Sequence, residues 1–196
     1  VKTIFLILIM SIENKTNPLD GLIGTWEGDR GTDIAPKPII DENNPYYETL
    51  EFEVVDIDIE NAEEQQLLAI KYYQLVREKK DDKVSHSETG YWIWNKDDDT
   101  IMCAFAIPRG VSVLAGGSYE RISDEEIIFT VTSHKDDPNY GIVQSPFMEK
   151  KAKTIEFKRE IRINGNKISY HQETIVDIYG KIFNHTDDNS LGKRKA

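Results

Sequence analysis

Apolar and polar residues alternate along most of the chain in short runs, which is the period of a β-strand with one buried face. The clearest example is a pair of runs at residues 154–163 and 167–178, joined by Asn164-Gly165-Asn166. Because Asn-Gly favours the tight turns that match the twist of paired strands, this pair predicts a β-hairpin. Further strands are predicted at residues 23–30, 47–59, 67–77, 88–95, 100–107, 111–119 and 127–132.

The number and spacing of these strands predict the fold class. Roughly nine or ten strands at short spacing, with no convincing long amphipathic helix, indicate a sandwich or a barrel. Long strands with few crossover connections favour the barrel. We therefore expect an all-β domain that forms a single, roughly ten-stranded, antiparallel, up-and-down β-barrel.

Two stretches interrupt the strand pattern. Residues 31–45 contain three of the seven prolines and show no periodicity, which predicts a long loop after the first strand. Residues 134–148 are rich in turn residues and are predicted to be irregular. We divide the chain into a lead-in at 1–21, a barrel domain at 22–192 and a basic tail at 193–196.

The first ten residues are mostly apolar and need a separate explanation. They are too short to span a bilayer, which takes about 20 apolar residues. They resemble the core of a signal peptide, but no small-residue cleavage site follows them. A third option is that translation begins at Met10 and that Val1 reflects a misplaced start. We prefer the third option and exclude residues 1–10 from the expected fold.

Composition limits the partners and the compartment. A net charge of −11 argues against a nucleic-acid surface, which needs clustered Lys and Arg, and we expect no membrane association. The single cysteine, Cys103, excludes an intramolecular disulfide and favours a reducing compartment, so a cytoplasmic location is expected. Cys103 lies in an apolar segment, which predicts a buried residue rather than a catalytic thiol.

Several motifs, taken in order, resemble those of the nitrobindin family of haem-binding β-barrels. Gly24-Thr25-Trp26-Glu27-Gly28 is similar to the family's G-x-W-x-G opening, in which the Trp closes one end of the barrel. Later matches are Tyr46-Tyr47-Glu48-Thr49-Leu50-Glu51-Phe52, Glu88-Thr89-Gly90-Tyr91, Pro108-Arg109-Gly110-Val111, residues 153–161 and residues 165–170. The resemblance covers about residues 22–191 and implies a calycin-type barrel, similar to lipocalins and fatty-acid-binding proteins.

The resemblance also implies a cofactor site. The family places a histidine after the final strand as the proximal ligand of haem iron, and His185 falls at that place, in Ile182-Phe183-Asn184-His185-Thr186. We therefore expect haem b to bind through His185 at a barrel mouth, with Asp187 or Asp188 as acceptor for its second ring nitrogen. Lys153 aligns with a lysine that could pair with a haem propionate, although an exposed lysine is the alternative.

Trp26 and Arg159 complete the expected cofactor-binding set. Arg159 stands among apolar residues of its strand, so it lies either at a strand end in solvent or in a partly polar cavity that could hold a ligand. The other histidines are expected to be exposed, with His171 pointing outward. No group of His, Cys and Asp has metal-ligand spacing along the sequence, so no structural zinc site is expected.

The resemblance implies reactivity with nitric oxide or isomerisation of peroxynitrite to nitrate, so enzymatic activity is left open. One alternative is a carrier or sensor that holds a small hydrophobic ligand in the barrel, and another is a structural domain whose pocket is filled by side chains. Residues 31–45 depart from the family, with no matching threonine and an insertion at 39–45. The oligomeric state is open, with a homodimer as one option.

Overall fold

The protein is described by a computed structural model that covers residues 16–39, 41–55 and 65–195. The expectation for residues 1–10 and the end of the strand predicted at 47–59 lie outside the described residues. Within the described ranges, no helix is long and apolar enough to cross a membrane.

Eleven β-strands and two short helices make up the described chain. A 3-10 helix at Pro18–Leu22 precedes the first strand, and α1 (Pro146–Lys151) follows β8. The strands are β1 (Gly24–Ala35), β2 (Glu42–Val54), β3 (Leu67–Glu78), β4 (Val84–Asn95), β5 (Ile101–Ile107), β6 (Val111–Arg121), β7 (Glu126–His134), β8 (Ile142–Gln144), β9 (Ala152–Asn164), β10 (Lys167–Ile178) and β11 (Lys181–Lys193).

Ten of these strands form a closed antiparallel ring. Each pairs with its neighbours in chain order, and the pairing of β1 with β11 closes the ring. The short β8 lies outside this sequence and pairs with the beginning of β6. The predicted up-and-down β-barrel is therefore confirmed.

The predicted loop at 31–45 is mostly strand. β1 continues to Ala35 and pairs with β2 from Glu42 onward, so only the tip of the hairpin is irregular. This part of β1 lacks apolar alternation and is held as a strand by its pairing with β2. The register of that pairing shifts between Gly28 and Gly31, as at a β-bulge. At Gly31 a side chain would meet the Tyr46 ring, because a Cβ atom there would lie 2.0 Å from it.

Two other stretches also differ from the sequence-based prediction. The segment at 134–148 includes the end of β7, all of β8 and the beginning of α1, and is irregular at residues 135–141 and at Ser145. Residues 181–193 form β11, a full strand that the hydrophobic pattern did not predict. Lys193, assigned to the basic tail, belongs to this strand and pairs with Trp26.

The barrel is closed at one end and open at the other. Trp26 is fully buried at the closed end, and its Nε1 donates a hydrogen bond to the Leu22 carbonyl oxygen at 2.7 Å, which fastens the 3-10 helix over the barrel floor. Along the inward face of β10, Ile168 is fully buried near the floor, whereas Thr174 and Val176 are only partly buried. The end that carries these two residues is therefore open to solvent.

Candidate functional site at the open end of the barrel

The sequence predicted that His185 follows the last strand. In the structure it lies inside β11. Its Cα partner is Thr174 of β10. Side chains alternate along a strand, and Asn189 and Leu191 of β11 are buried in the interior, so His185 also points inward. The strand holds the imidazole at the open end of the barrel.

Two carboxylates lie beside this imidazole. His185 Nε2 is 2.5 Å from Asp33 Oδ1 and 3.6 Å from Asp187 Oδ2. Asp33 and Asp187 are Cα partners in the β1–β11 ladder, which brings the two acids together. The three side chains are partly buried, with exposed fractions of 31% for His185, 23% for Asp33 and 21% for Asp187.

Among the described residues, these three side chains form the one group of His, Cys, Asp or Glu close enough to hold a metal ion. The spacing of residues along the sequence did not reveal it, because Asp33 and His185 are 152 positions apart. Asp187 or Asp188 was expected to accept a hydrogen bond from the imidazole. Asp187 lies beside it, whereas Asp188 pairs with His171, and nothing local in the sequence pointed to Asp33.

The two carboxylates change the protonation of the site. Burial alone would lower the pKa of His185, but the hydrogen bond to Asp33 and the charges of Asp187 and Asp33 outweigh it and raise this pKa above its usual value. Burial raises the pKa of Asp187 to about 6, opposed by the His185 charge and assisted by the Asp33 charge. The raised pKa of His185 favours the imidazolium form, whereas a metal needs the neutral ring.

Side-chain amides hold both carboxylates in place. Asn44 Nδ2 donates to Asp33 Oδ2 at 3.2 Å, and Gln172 Nε2 donates to Asp187 Oδ2 at 3.5 Å. The Gln172 carbonyl oxygen in turn accepts a hydrogen bond from Arg159 Nε at 2.8 Å. The open end is thereby connected to the polar interior.

Arg159 occupies the barrel interior, in a buried ion pair with Glu88. Its Nη1 and Nη2 lie 2.8 and 3.2 Å from the two carboxylate oxygens of Glu88, and Tyr72 donates a further hydrogen bond to Glu88. Burial would raise the pKa of Glu88, but Arg159 and His86 outweigh it and lower the pKa to about 2. Of the two expectations for Arg159, the polar interior is therefore observed rather than a solvated strand end.

A second polar group fills the middle of the barrel around Glu48. Its carboxylate accepts hydrogen bonds from Asn189, Gln74 and Tyr170 at 2.5, 2.7 and 2.9 Å, and burial raises its pKa. The cavity beside this group, lined by residues that include Trp92, has a volume of about 10 Å³. That is room for about one water molecule, so this cavity does not hold a larger ligand.

The comparison with known families decides the assignment. Residues 15–193 match the family model described as the THAP4-like, heme-binding beta-barrel domain. The chain belongs to this family. The predicted resemblance to haem-binding barrels is therefore confirmed, and haem is the cofactor of the family.

A solved structure supports the fold of this haem-binding barrel. The crystal structure of Rv2717c from M. tuberculosis is 21% identical in sequence, with a TM-score of 0.69 over 90% of this chain and 95% of that chain. At this level of identity, the likeness concerns the fold alone. A search of curated protein sequences gives no significant match.

The other residues expected to bind the cofactor lie in three different places. Trp26 is at the closed end, opposite Lys193 in the ladder. Lys193 is eight positions after His185 on β11, which corresponds to roughly 26 Å of strand. Lys153 alternates with buried neighbours, and its Nζ lies 3.5 Å from Glu149 of α1. The structure connects Arg159 to His185 through Gln172 and Asp187, but it does not bring Trp26 or Lys153 to the imidazole.

Cys103 and His171 lie as expected. Cys103 is buried, and burial raises the pKa of its thiol to about 12, which confirms the apolar interpretation. His171 faces outward and pairs with Asp188 at 2.7 Å, with exposed fractions of 47% and 58%. His86 differs from expectation, because it is half-buried and its Nε2 lies 3.4 Å from Glu88.

The residues at the open end fit haem in donor type and position. His185 offers a partly buried imidazole on a fixed strand, and Val176 and Phe183 are paired apolar residues on the same inward face. One feature differs from a free ligand site: His185 Nε2 is already hydrogen-bonded to Asp33. This carboxylate has to move aside before Nε2 can bind iron.

Proposed function

We propose that this haem-binding barrel holds ferric haem b at its open end, with His185 Nε2 as the proximal ligand of the iron. The observation that carries the proposal is the inward-facing imidazole of His185 at the open end of the barrel. Neutral imidazole is a good axial ligand for haem iron. Membership of the family supports haem as the ligand.

The polar interior determines how deep the cofactor can lie. Because the cavity beside Gln74 and Arg159 has a volume of about 10 Å³, the macrocycle has to rest above this layer. In that position Val176 and Phe183 provide apolar contacts and exclude water from one face, and His185 fixes the orientation. The same filled interior argues against a carrier that buries an apolar chain in the centre of the barrel.

We further propose that the haem-loaded protein binds nitric oxide or isomerises peroxynitrite to nitrate. Haem held by His185 would supply a Lewis-acidic ferric centre for this chemistry. The strand that carries His185 would keep the cofactor in one orientation, and displacement of Asp33 would remove the hydrogen bond that raises the pKa of the imidazole. A cytoplasmic location and a homodimer stay predictions, the first resting on the single, buried cysteine.

A hemin titration tests the binding site. Addition of hemin to the wild-type protein is expected to shift the Soret band and to saturate at one equivalent. His185→Ala should weaken hemin binding at least tenfold, since even outer-shell partners of metal ligands contribute about 10- to 100-fold. The matched control is His171→Ala on the outer face of β10, which should bind like wild type.

Two results would contradict the binding proposal: a wild-type protein without a Soret shift, and a His185→Ala protein that binds hemin as wild type does. The same haem-loaded samples then serve for stopped-flow measurement of peroxynitrite decay. Faster decay than with free hemin, dependent on His185, supports isomerisation. An unchanged decay rate excludes it and leaves nitric oxide binding, which the shift of the Soret band on nitric oxide addition measures.

A further inference from the structure

We propose that Asp33, His185 and Asp187 also form a site for one non-haem divalent transition-metal ion. The three side chains belong to two paired strands at the open end of the barrel. The proposal goes beyond haem binding and does not depend on it, because its two further ligands are the carboxylates of Asp33 and Asp187, which are not proposed as ligands of haem iron.

The distances between the three ligand atoms are close to those around a small metal ion. Metal–ligand bonds of 2.0–2.2 Å hold neighbouring ligand atoms about 3 to 3.5 Å apart. The observed separations from His185 Nε2 are 2.5 Å to Asp33 and 3.6 Å to Asp187, which lie on either side of that value. All three ligand atoms are within 4.8 Å of one another.

The surroundings of the two carboxylates are compatible with a role as ligands. Each acid accepts a hydrogen bond from a neutral amide, Asn44 for Asp33 and Gln172 for Asp187, and Arg159 orients Gln172 in turn. Ligating carboxylates are typically held by such outer partners, which fix their direction.

The pair on the outer face of the barrel lacks this arrangement. His171 of β10 and Asp188 of β11 also form a pair of imidazole and carboxylate, 2.7 Å apart. Both are about half exposed, and no second carboxylate joins them in a group able to hold a metal ion among the described residues. This pair therefore provides a natural control for the inner cluster.

Charge and donor type indicate the class of ion. Two carboxylates and a neutral imidazole carry two negative charges, and Arg159 is already paired with Glu88. One nitrogen and two oxygen donors with open positions toward solvent suit Zn²⁺, Co²⁺ and Mn²⁺. Ca²⁺ prefers six to eight oxygen ligands and is expected to bind more weakly.

The ion and haem use the same nitrogen of His185, so they exclude each other. A protein loaded with Zn²⁺ is therefore expected to bind hemin more weakly than the metal-free protein. This competition gives a readout that does not depend on any catalytic activity.

The test is a titration of the metal-free full chain with Co²⁺, followed by its visible absorption bands, and with Zn²⁺, followed by calorimetry. We expect one ion per chain. Asp187→Asn and Asp33→Asn should each weaken binding more than about tenfold, because a ligand contributes at least as much as an outer-shell partner. His171→Ala and Asp188→Asn should leave it unchanged, and circular dichroism verifies that each variant is folded.

The proposal is overturned if the wild type takes up no stoichiometric Co²⁺ or Zn²⁺. It is also overturned if both inner Asn variants bind these ions within twofold of wild type, or if the outer variants lose binding equally. Hemin titration of the same proteins keeps the two proposals apart. Both Asn variants retain His185, so loss of ion binding with retained hemin binding is the expected pattern. Hemin binding without ion binding in the wild type refutes the ion site alone, and the reverse refutes the haem proposal alone.

Discussion

Arg159→Met is expected to lower the free energy of unfolding by about 3–5 kcal/mol, the usual cost of removing one partner of a buried ion pair. Arg159 holds both oxygens of Glu88 inside the barrel, and both side chains are almost completely buried. Met matches much of the volume of Arg but leaves the buried Glu88 carboxylate without its cation. Urea unfolding measures the loss.

Two further variants separate the ion pair from general effects of the substitution. Arg162→Met removes an arginine from the same strand, but its bond to Glu126 at 2.6 Å is on the outer surface, so the expected cost is about 1 kcal/mol or less. Adding Glu88→Gln to Arg159→Met should restore part of the stability, because the uncompensated charge is gone. An Arg159→Met protein no less stable than Arg162→Met would contradict the prediction.

The same pair determines a pH dependence. Burial would raise the pKa of Glu88, but Arg159 and His86 lower it from its usual 4.5 to about 2. A carboxyl group with a lowered pKa in the folded state stabilises the protein above its unfolded pKa and loses that effect as pH falls through the folded value. Wild type should therefore lose about 3 kcal/mol of its free energy of unfolding relative to Glu88→Gln as the pH falls from about 4.5 to about 2.

Trp26→Ala is the second substitution with a large expected effect. Trp26 is fully buried at the closed end, and its indole fastens the 3-10 helix through Leu22. Loss of the ring should reduce the free energy of unfolding by about 3–5 kcal/mol, through lost burial and the cavity that remains. Trp26→Phe keeps most of the packing and loses the hydrogen bond, so a smaller loss of about 1–3 kcal/mol is expected.

The control for Trp26 is Tyr91→Ala, which removes an aromatic side chain that is half exposed on the outside of the barrel and should change stability by about 0.5 kcal/mol or less. Under conditions where Trp26→Ala is folded, hemin binding should equal that of wild type, because His185 is at the other end of the barrel. Weaker hemin binding in this variant would place the cofactor nearer the floor than the imidazole indicates.

How much of the fold could be predicted depended on which side chains face the interior. The hairpin of β9 and β10 was predicted almost to its ends, because inward Ile161 and Ile168 alternate with polar residues and Asn-Gly fixes the turn. β11 was missed because several of its inward residues are polar: His185, Asp187 and Asn189 belong to the open end and to the buried polar layer. Hydrophobic periodicity cannot detect a strand that faces a polar interior.

The candidate site was predictable only in part, for a related reason. His185 came from the order of family motifs, and Asp187 from its closeness in sequence. Asp33 reaches the imidazole through the pairing of β1 with β11, which depends on closure of the whole barrel. Its surrounding sequence contains prolines and little alternation, so it indicated a loop rather than a strand that carries a ligand.

The pairing of β1 with β11 also determines when the barrel can close during synthesis. Strand β1 emerges early but has no partner on one edge until β11, the last strand in chain order, has been made. Contacts between such distant segments form slowly, because a long loop has to close first. Asp33 therefore contacts His185 and Asp187 only when β11 pairs with β1, and the same pairing closes the barrel. A chain truncated before β11 would have an open sheet edge that is prone to pair with other chains. It would also lack His185 and Asp187, and with them the proposed sites for a cofactor and an ion.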